Sequence, residues 1–484
     1  MARTLQLCVI GVLVLGQTLA QVRRVGKLQE VFAWSQLTYN INGNIVLRDR
    51  FGGDDLEDEE SRSKRGSDIV VFNNDEPDTD NRWMQPQTGP TSKPGKPTTP
   101  FVGSQQNFTT QRSTTTTSSS NNDDAGRFFI QYNNLPMGVE RHKNRLFVTI
   151  PRRRYGIPST LNYIDMKLDS NTRSPGLRPY PNLRTSRQLT SVYRTRVDAC
   201  NRLWMVDTGL LEIPNNFQQV QNPAIVIYDL NTNRLILRHD LEAELPQGLA
   251  SITVDIKNGA CDDAFAYIPD LASYAIIVFS LRDRDTWRVT HNYFHFNPVY
   301  GNLNIAGQRF LWNDGIFSIT LSAPNDEGCS IAYFHPMASN QEFSVPTCVL
   351  KNKNATQASN YWENYSVVGD RGETSQSTMH GYHAGSRVIF FADIGRNAVS
   401  CWSTATALTP SNVAVVAQDS QRLSYPADLH VTGDEVWVIA NTLPRFIYST
   451  LNTNQHNFFI YRASVRDLIS GTICESNNGG SYNK

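Results

Sequence analysis

The stretch "NRLFVTIPR" (144–152) has an echo in "NRLWMVDTG" (201–209), and the pair frames the question of the fold. Each opens on a polar pair, runs through aliphatic and aromatic positions, and breaks at Pro, Asp or Gly. Runs this short, bounded by turn residues and rich in Val, Ile and aromatics, suit a buried strand better than a helix. Four further stretches share the form: "DAFAYIPDL" (263–271), "DGIFSITLS" (314–322), "RVIFFADIG" (387–395) and "DEVWVIANTLP" (434–444). A shorter mixed strand precedes each, as in "PMGVERH" (136–142), "SVYRTRVD" (191–198), "ASITVDIK" (250–257), "NIAGQRFLW" (304–312), "STMHGYHA" (377–384) and "PADLHVTG" (426–433). Another strand often follows, such as "PAIVIYDL" (223–230) or "YAIIVFSL" (274–281). The copies begin about 50–70 residues apart, with no long helical periodicity between them, which is the signature of a repeated small sheet. Six copies predict an all-β, six-bladed β-propeller over 126–476, with residues 477–484 as a flexible tail. The competing architecture is a β-sandwich whose strands repeat by accident.

Upstream of the repeats the composition changes twice. Arg3, the apolar run "LCVIGVLVLG" (7–16) and the small-residue exit "TLA" (18–20) read as a secretory signal peptide over 1–20, too short to span a bilayer. Residues 21–50 contain the alternating "VFAWSQLTYNI" (31–41), a strand expected to join the propeller. An acidic block, "DDLEDEESRSKRGS" (54–67), then leads into a Pro, Thr, Ser and Asn tract, so 51–125 is expected to be a disordered insertion. Within it Arg62, Lys64 and Arg65 spell a convertase-type cleavage site, and a solvated charge run is the plainer reading. Sequons at Asn107, Asn354 and Asn364 are candidate glycosylation sites in a secreted, extracellular chain.

The 45 basic and 45 acidic residues cancel, and no basic face is visible, so a nucleic-acid partner is not expected; nor is membrane insertion. Of seven cysteines, Cys8 lies in the leader, and the remaining six suit three disulfides. Cys329 and Cys348 flank a hairpin and can face each other. Cys200 and Cys261 each sit just before a repeated phrase of neighbouring blades. Cys401 and Cys474 remain, and their pairing would tie the chain end to the body where a propeller closes. No Cys/His spacing suggests a metal, and no fingerprint calls for a cofactor.

Several stretches together resemble the Yellow/major royal jelly protein family of insects: "EVFAWSQLTYNI" (30–41), "NNLPMGVERHKNRLFVTIPRRRYGIPSTLNYI" (133–164), "VDACNRLWMVDTG" (197–209), "CDDAFAYIPD" (261–270), "NAVSCW" (397–402) and "YPADLH" (425–430). The insertion over 51–125 and the Cys329–Cys348 pair depart from that pattern. The resemblance implies a secreted six-bladed propeller, with Cys200–Cys261 and Cys401–Cys474 paired. It implies a role in pigmentation and melanisation, with conversion of dopachrome or a related catechol quinone as one activity. Binding of aromatic biogenic amines, or a structural place in cuticle or eggshell matrix, are the alternatives the family carries. It further places Thr378 and Asn397 in segments that contact amines.

A propeller gathers its inner strands round a central channel, whose mouth is the usual ligand site. Polar residues at the starts of first strands and the ends of second strands are therefore the candidates. These are Glu140, Thr253, Asn304, Thr378 and Asp428, with Asp207, Asp270, Asp393, Asn397 and Asn441. Phe391, Phe390, Tyr382 or Phe310 would offer an aromatic face to a small aromatic amine or catechol-type ligand. Glu140 and Asp428 are the candidate catalytic bases, with His380 or His383 beside them. His380 and His383, three apart, should fall on opposite strand faces, whereas His291 and His295 should share one. Asp207 is equally suited to fixing a strand-end turn, and a ring of carboxylates would also suit calcium.

Overall fold

A computed structural model describes residues 23–46, 129–212, 217–241, 244, 246–257 and 259–475. The leader at 1–20, Asn107, the sites at Arg62–Arg65 and the insertion over 51–125 lie outside these residues, as does the tail from 477.

Six antiparallel sheets form the blades of a propeller. Blade 1 runs Gly138–His142, Arg145–Thr149, Leu161–Asp165 and Arg178–Pro179 from axis to rim. Blade 2 runs Val192–Val197, Arg202–Asp207, Ala224–Asp229 and Arg234–Asp240. Blade 3 follows with Thr253–Ile256, Ala264–Asp270, Ala275–Ser280 and Asp285–Thr290. Blade 4 has Ile316–Leu321, Ile331–Pro336, Gln341–Pro346 and Ser366–Asp370. Blade 5 has Ser377–His383, Val388–Asp393, Ala398–Ser403 and Val413–Gln418. Blade 6 begins Tyr425–Thr432, Glu435–Asn441 and Phe458–Ser464, then takes Leu28–Trp34 as its fourth strand and Arg24–Val25 at its edge. Trp34 lies opposite Phe458 and Gln29 opposite Arg462.

The middle strands are buried on both faces, which explains why the repeated phrase is continuously apolar. Along Ala224–Asp229, Ile225 and Ile227 pack with Ile268 and Phe279 of blade 3, while Val226 and Tyr228 join Phe147 and Leu161 of blade 1. Successive side chains point to opposite faces, so one strand serves two interfaces and no polar side remains. Asn201, which opens the second phrase, sits at φ 56° in the turn before its strand, a conformation Asn tolerates better than most residues.

Five of the six phrases lie on second strands; the fourth does not. "DGIFSITLS" supplies the first strand of blade 4, and "SIAYFHPM" the second. The expected first strand at 304–312 instead folds into a separate hairpin, Asn302–Ile305 with Gln308–Leu311. Ala306 and Gly307, both at positive φ, turn it before it can enter the sheet. Ile316–Leu321 is as buried as a second strand, and composition alone cannot tell the two apart.

All three disulfides are formed, with Cα separations of 5.9 Å for Cys200–Cys261, 5.4 Å for Cys329–Cys348 and 6.2 Å for Cys401–Cys474. The first bridges blades 2 and 3, the second stays within blade 4, and the third fastens the end of the chain to blade 5. Among the described residues no helix is long and apolar enough to cross a membrane.

Candidate functional site

Six inner strands converge on the axis, and a cationic side chain from one of them closes it. Arg194, on the first strand of blade 2, is fully buried. Its Nε donates to the Ala427 carbonyl of blade 6 at 3.2 Å and its Nη1 to the Ala250 carbonyl before blade 3 at 3.1 Å. Its guanidinium also lies 5.0 Å from the Phe317 ring of blade 4 and 3.7 Å from Asp428. One side chain therefore touches three other blades. The expected polar-lined channel is, at this level, a polar plug: the axis is filled by the longest available donor.

Behind Arg194 lies a second charged layer. Asp428 accepts from the Val139 N–H at 2.9 Å, and its Oδ2 is 3.0 Å from Nε2 of His430. The other ring nitrogen of His430 lies 3.3 Å from Glu140 and also meets Arg196. Asp428 and His430 are two apart on one strand, so they share a face. Burial pushes the Asp428 carboxyl up, but His430, Arg194 and the Val139 N–H outweigh it and hold it below the ordinary range. Burial prevails at Glu140, whose carboxyl is raised despite His430 and Arg196. Glu140 and Asp428 thus meet through His430, the last residue of "YPADLH".

At the end of the axis where first strands start and second strands finish, aromatic side chains gather. Phe310 and Trp312 come from the hairpin and its exit, Tyr425 from the start of blade 6, and Leu443, Pro444, Ile447 and Tyr448 from the short helix Leu443–Tyr448. With Met337 they enclose an apolar cavity of about 10 Å³, room for roughly one water. Arg445 of the helix donates to the Ala306 carbonyl at the hairpin tip, 2.9 Å away, so helix and hairpin form a joined cover.

Asp314 stands at this mouth. Trp312 Nε1 donates to its Oδ2 at 2.7 Å, and the residue is partly exposed. Burial pushes its carboxyl up to about 6, against the Trp312 hydrogen bond and the nearby charge of Arg153. Arg153 reaches the Tyr193 hydroxyl at 3.5 Å and is close enough to act electrostatically on Tyr425 and Tyr448 as well. A carboxyl raised toward neutrality and a cation therefore lie beside a group of aromatics. The sequence signal for Asp314 was its place at the head of "DGIFSITLS", immediately before an inner strand.

The remaining candidates are placed elsewhere. Asp207 accepts from the Thr190 and Ser191 N–H groups and pairs with Arg238 at 3.2 Å; Asp270 does the same with Gln247, Gly248 and Arg288. Asp393 is held by the Arg396 guanidinium and the Ser400 hydroxyl. Asp207 and Asp270 tie the connections that lead into their blades, Asp393 ties the turn between the second and third strands of blade 5, and each is paired with an arginine. Asn441 donates to the Pro136 carbonyl and accepts from the Leu443 N–H, which anchors the cover helix. Thr378 donates to the Pro426 carbonyl and Thr253 to the Ile319 carbonyl, both between blades. Asn397 occupies the left-handed turn between second and third strands of blade 5, not an inner strand. Asn304 is exposed on the hairpin.

Phe390 and Phe391 are buried in blade 5, Phe391 beneath His380 with centroids 5.8 Å apart; Tyr382, at the far end of the inner strand, packs against that same core. His380 faces blade 4 and His383 pairs with Asp434 of blade 6, on opposite sides of their strand. His291 and His295 bracket the single turn Asn292–Phe294 and stack on Tyr365 and Tyr274 respectively, so the shared strand face does not exist. Asn354 and Asn364 are exposed on short turns between the third and fourth strands of blade 4.

The sequence profile described as major royal jelly protein matches residues 190–474. L-dopachrome tautomerase yellow-f of Drosophila melanogaster is 45% identical over 357 residues, covering 72% of this chain and 83% of that protein. Dopaminechrome tautomerase of Drosophila melanogaster is 35% identical over 368 residues, covering 72% and 79%. Protein yellow of Drosophila madeirensis is 38% identical over 362 residues, covering 72% and 63%.

Proposed function

The chain belongs to the Yellow/major royal jelly protein family, and from that footing we propose that it is an extracellular isomerase of the melanin pathway that converts an aminochrome to a dihydroxyindole at the aromatic mouth. The reaction class needs no oxidant. Each proton lost from carbon in the five-membered ring is matched by one gained at a quinone oxygen, so atoms and electrons balance within the substrate. What it requires is a base near the ring carbon and donors or cations near the oxygens.

What carries this reading is Asp314, bonded to Trp312 of the aromatic cavity, with Arg153 close enough to act electrostatically on Asp314, Tyr425 and Tyr448. Asp314 is assigned as the base, because a carboxyl near 6 is ionised at neutral pH yet basic enough to take a proton. Glu140 and Asp428 lie one layer deeper, already engaged by His430, Arg194 and Arg196. Arg153 would steady negative charge growing on a quinone oxygen, and the aromatic faces would hold a flat bicyclic ring. The cavity admits no such ring until the cover of helix and hairpin shifts. The same Arg153 weighs against the alternative of an ammonium ligand, which it would repel. The three disulfides suit an oxidising compartment.

The test follows dopachrome and its decarboxylated counterpart by visible absorbance with purified protein, and identifies the indole product by chromatography. Asp314→Asn should slow conversion by about 10²–10⁴-fold. Decay no faster than the buffer blank for either substrate would overturn the enzyme reading; heat released on titrating dopamine or serotonin would then favour the binder.

A further inference from the structure

Between blades 4 and 5, His335, Glu342 and His380 form a wholly buried cluster. His335 comes from the second strand of blade 4, Glu342 from its third strand, and His380 from the first strand of blade 5. One donor-capable atom from each of the three lies within 4.8 Å of the other two. His335 Nδ1 is 3.0 Å from Glu342 Oε2, which also accepts from Arg371 at 2.7 Å. His380 Nδ1 is 2.7 Å from the Ser318 hydroxyl. These contacts use one side of each group. The other side, His335 Nε2, His380 Nε2 and Glu342 Oε1, is buried and makes no hydrogen bond.

We propose that these three side chains bind a divalent transition ion of the zinc class, a structural ion that clamps blade 4 to blade 5. Two imidazoles and one carboxylate supply three of the four positions of a tetrahedral zinc, the fourth being left to a water. His380 has an outer partner of the kind that fixes a ligating ring, the Ser318 hydroxyl. His380 Nε2 and Glu342 Oε1 are 3.1 Å apart, close to the roughly 3.3 Å edge expected between two ligands of one tetrahedral ion with bonds near 2 Å.

A bare ion pair between His380 and Glu342 would account for two of the three unpartnered atoms but leave His335 Nε2 stranded in the interior, a costly arrangement. Burial of all three ligands means the ion enters during folding, and it lies behind Phe391.

Protein made through a eukaryotic secretory pathway and purified without chelator or metal-affinity resin should carry about one zinc-class ion per chain by mass spectrometric metal analysis. His335→Gln and Glu342→Gln should each lower that content about tenfold or more. Refolding the wild-type chain with Co2+ alone should give the intense visible absorption of a tetrahedral nitrogen–oxygen site, a readout that needs no variant to fold. Refolded wild type that retains neither Zn2+ nor Co2+ overturns the proposal, as does metal content undiminished in both variants. Aminochrome conversion, assayed in parallel, reports on Asp314 and stands or falls separately.

Discussion

Replacing Asp314 by Asn should make the protein more stable at alkaline pH while disabling it. The carboxyl moves from an ordinary 3.8 to about 6 in the folded state, roughly 2 units, and each unit is worth about 1.36 kcal/mol. A ceiling of about 3 kcal/mol follows, and partial exposure reduces it to roughly 1–2 kcal/mol. The sign follows from linkage. A carboxyl raised on folding favours the folded state below its unfolded pKa, and that advantage disappears as pH rises through the folded value. Asn has no proton to lose and keeps an oxygen for the Trp312 N–H. The variant should therefore melt about 2 °C above wild type at pH 8, with the gap falling to about a third at pH 4.5. Calorimetry at the two pH values measures this. Wild-type conversion of an aminochrome should rise with pH through about 6, and the variant should lose that step. A variant less stable at pH 8, or a gap independent of pH, would refute the assignment of a strained carboxyl at the mouth.

Other consequences follow from the axis, the rim and the cover. Arg194→Met should cost about 3–5 kcal/mol in guanidinium unfolding, because Asp428 and two carbonyls lose their buried donor. The double change Cys401→Ala and Cys474→Ala, which opens a loop with a sequence separation of 73, should cost up to about 4 kcal/mol in the same assay. Arg445→Ala, which unlatches the cover helix from the hairpin, should speed ligand association several-fold in stopped flow at a cost of about 1 kcal/mol or less. Deleting residues 23–34 should leave Phe458–Ser464 as a bare edge and produce aggregates visible by light scattering.

Much of the architecture was written in periodicity. Strands such as Ala224–Asp229 and Val388–Asp393 are buried on both faces, so they leave an unbroken apolar run that survives any loop length. The misplaced blade 4 strand shows the limit: burial on both faces marks a strand as internal and says nothing of its order from the axis. The site was less legible. Glu140 and Asp428 were found because they fall in inner strands, but the histidine between them lies two residues past Asp428 in a stretch otherwise read as hydrophobic pattern. Asp314 and Arg153 come from connections either side of different blades, 161 residues apart in sequence, and only ring closure brings them within electrostatic reach. Asp207 and Asp270 read as ligand groups in the sequence and in the fold accept backbone N–H groups of the preceding connection, donors that carry no side-chain signal.

Blade 6 is knitted from both ends of the chain, and that has a bearing on processing. All six paired cysteines lie after residue 199, so the strand Leu28–Trp34 is held without a covalent cross-link, by ladder bonds, packing and contacts such as Glu30 with Arg173 and Trp34 Nε1 with the Pro175 carbonyl. Scission at the Arg62–Arg65 motif would therefore yield two polypeptides that sediment as a single particle. They would part in denaturant without any reductant, like a hasp lifted from its staple.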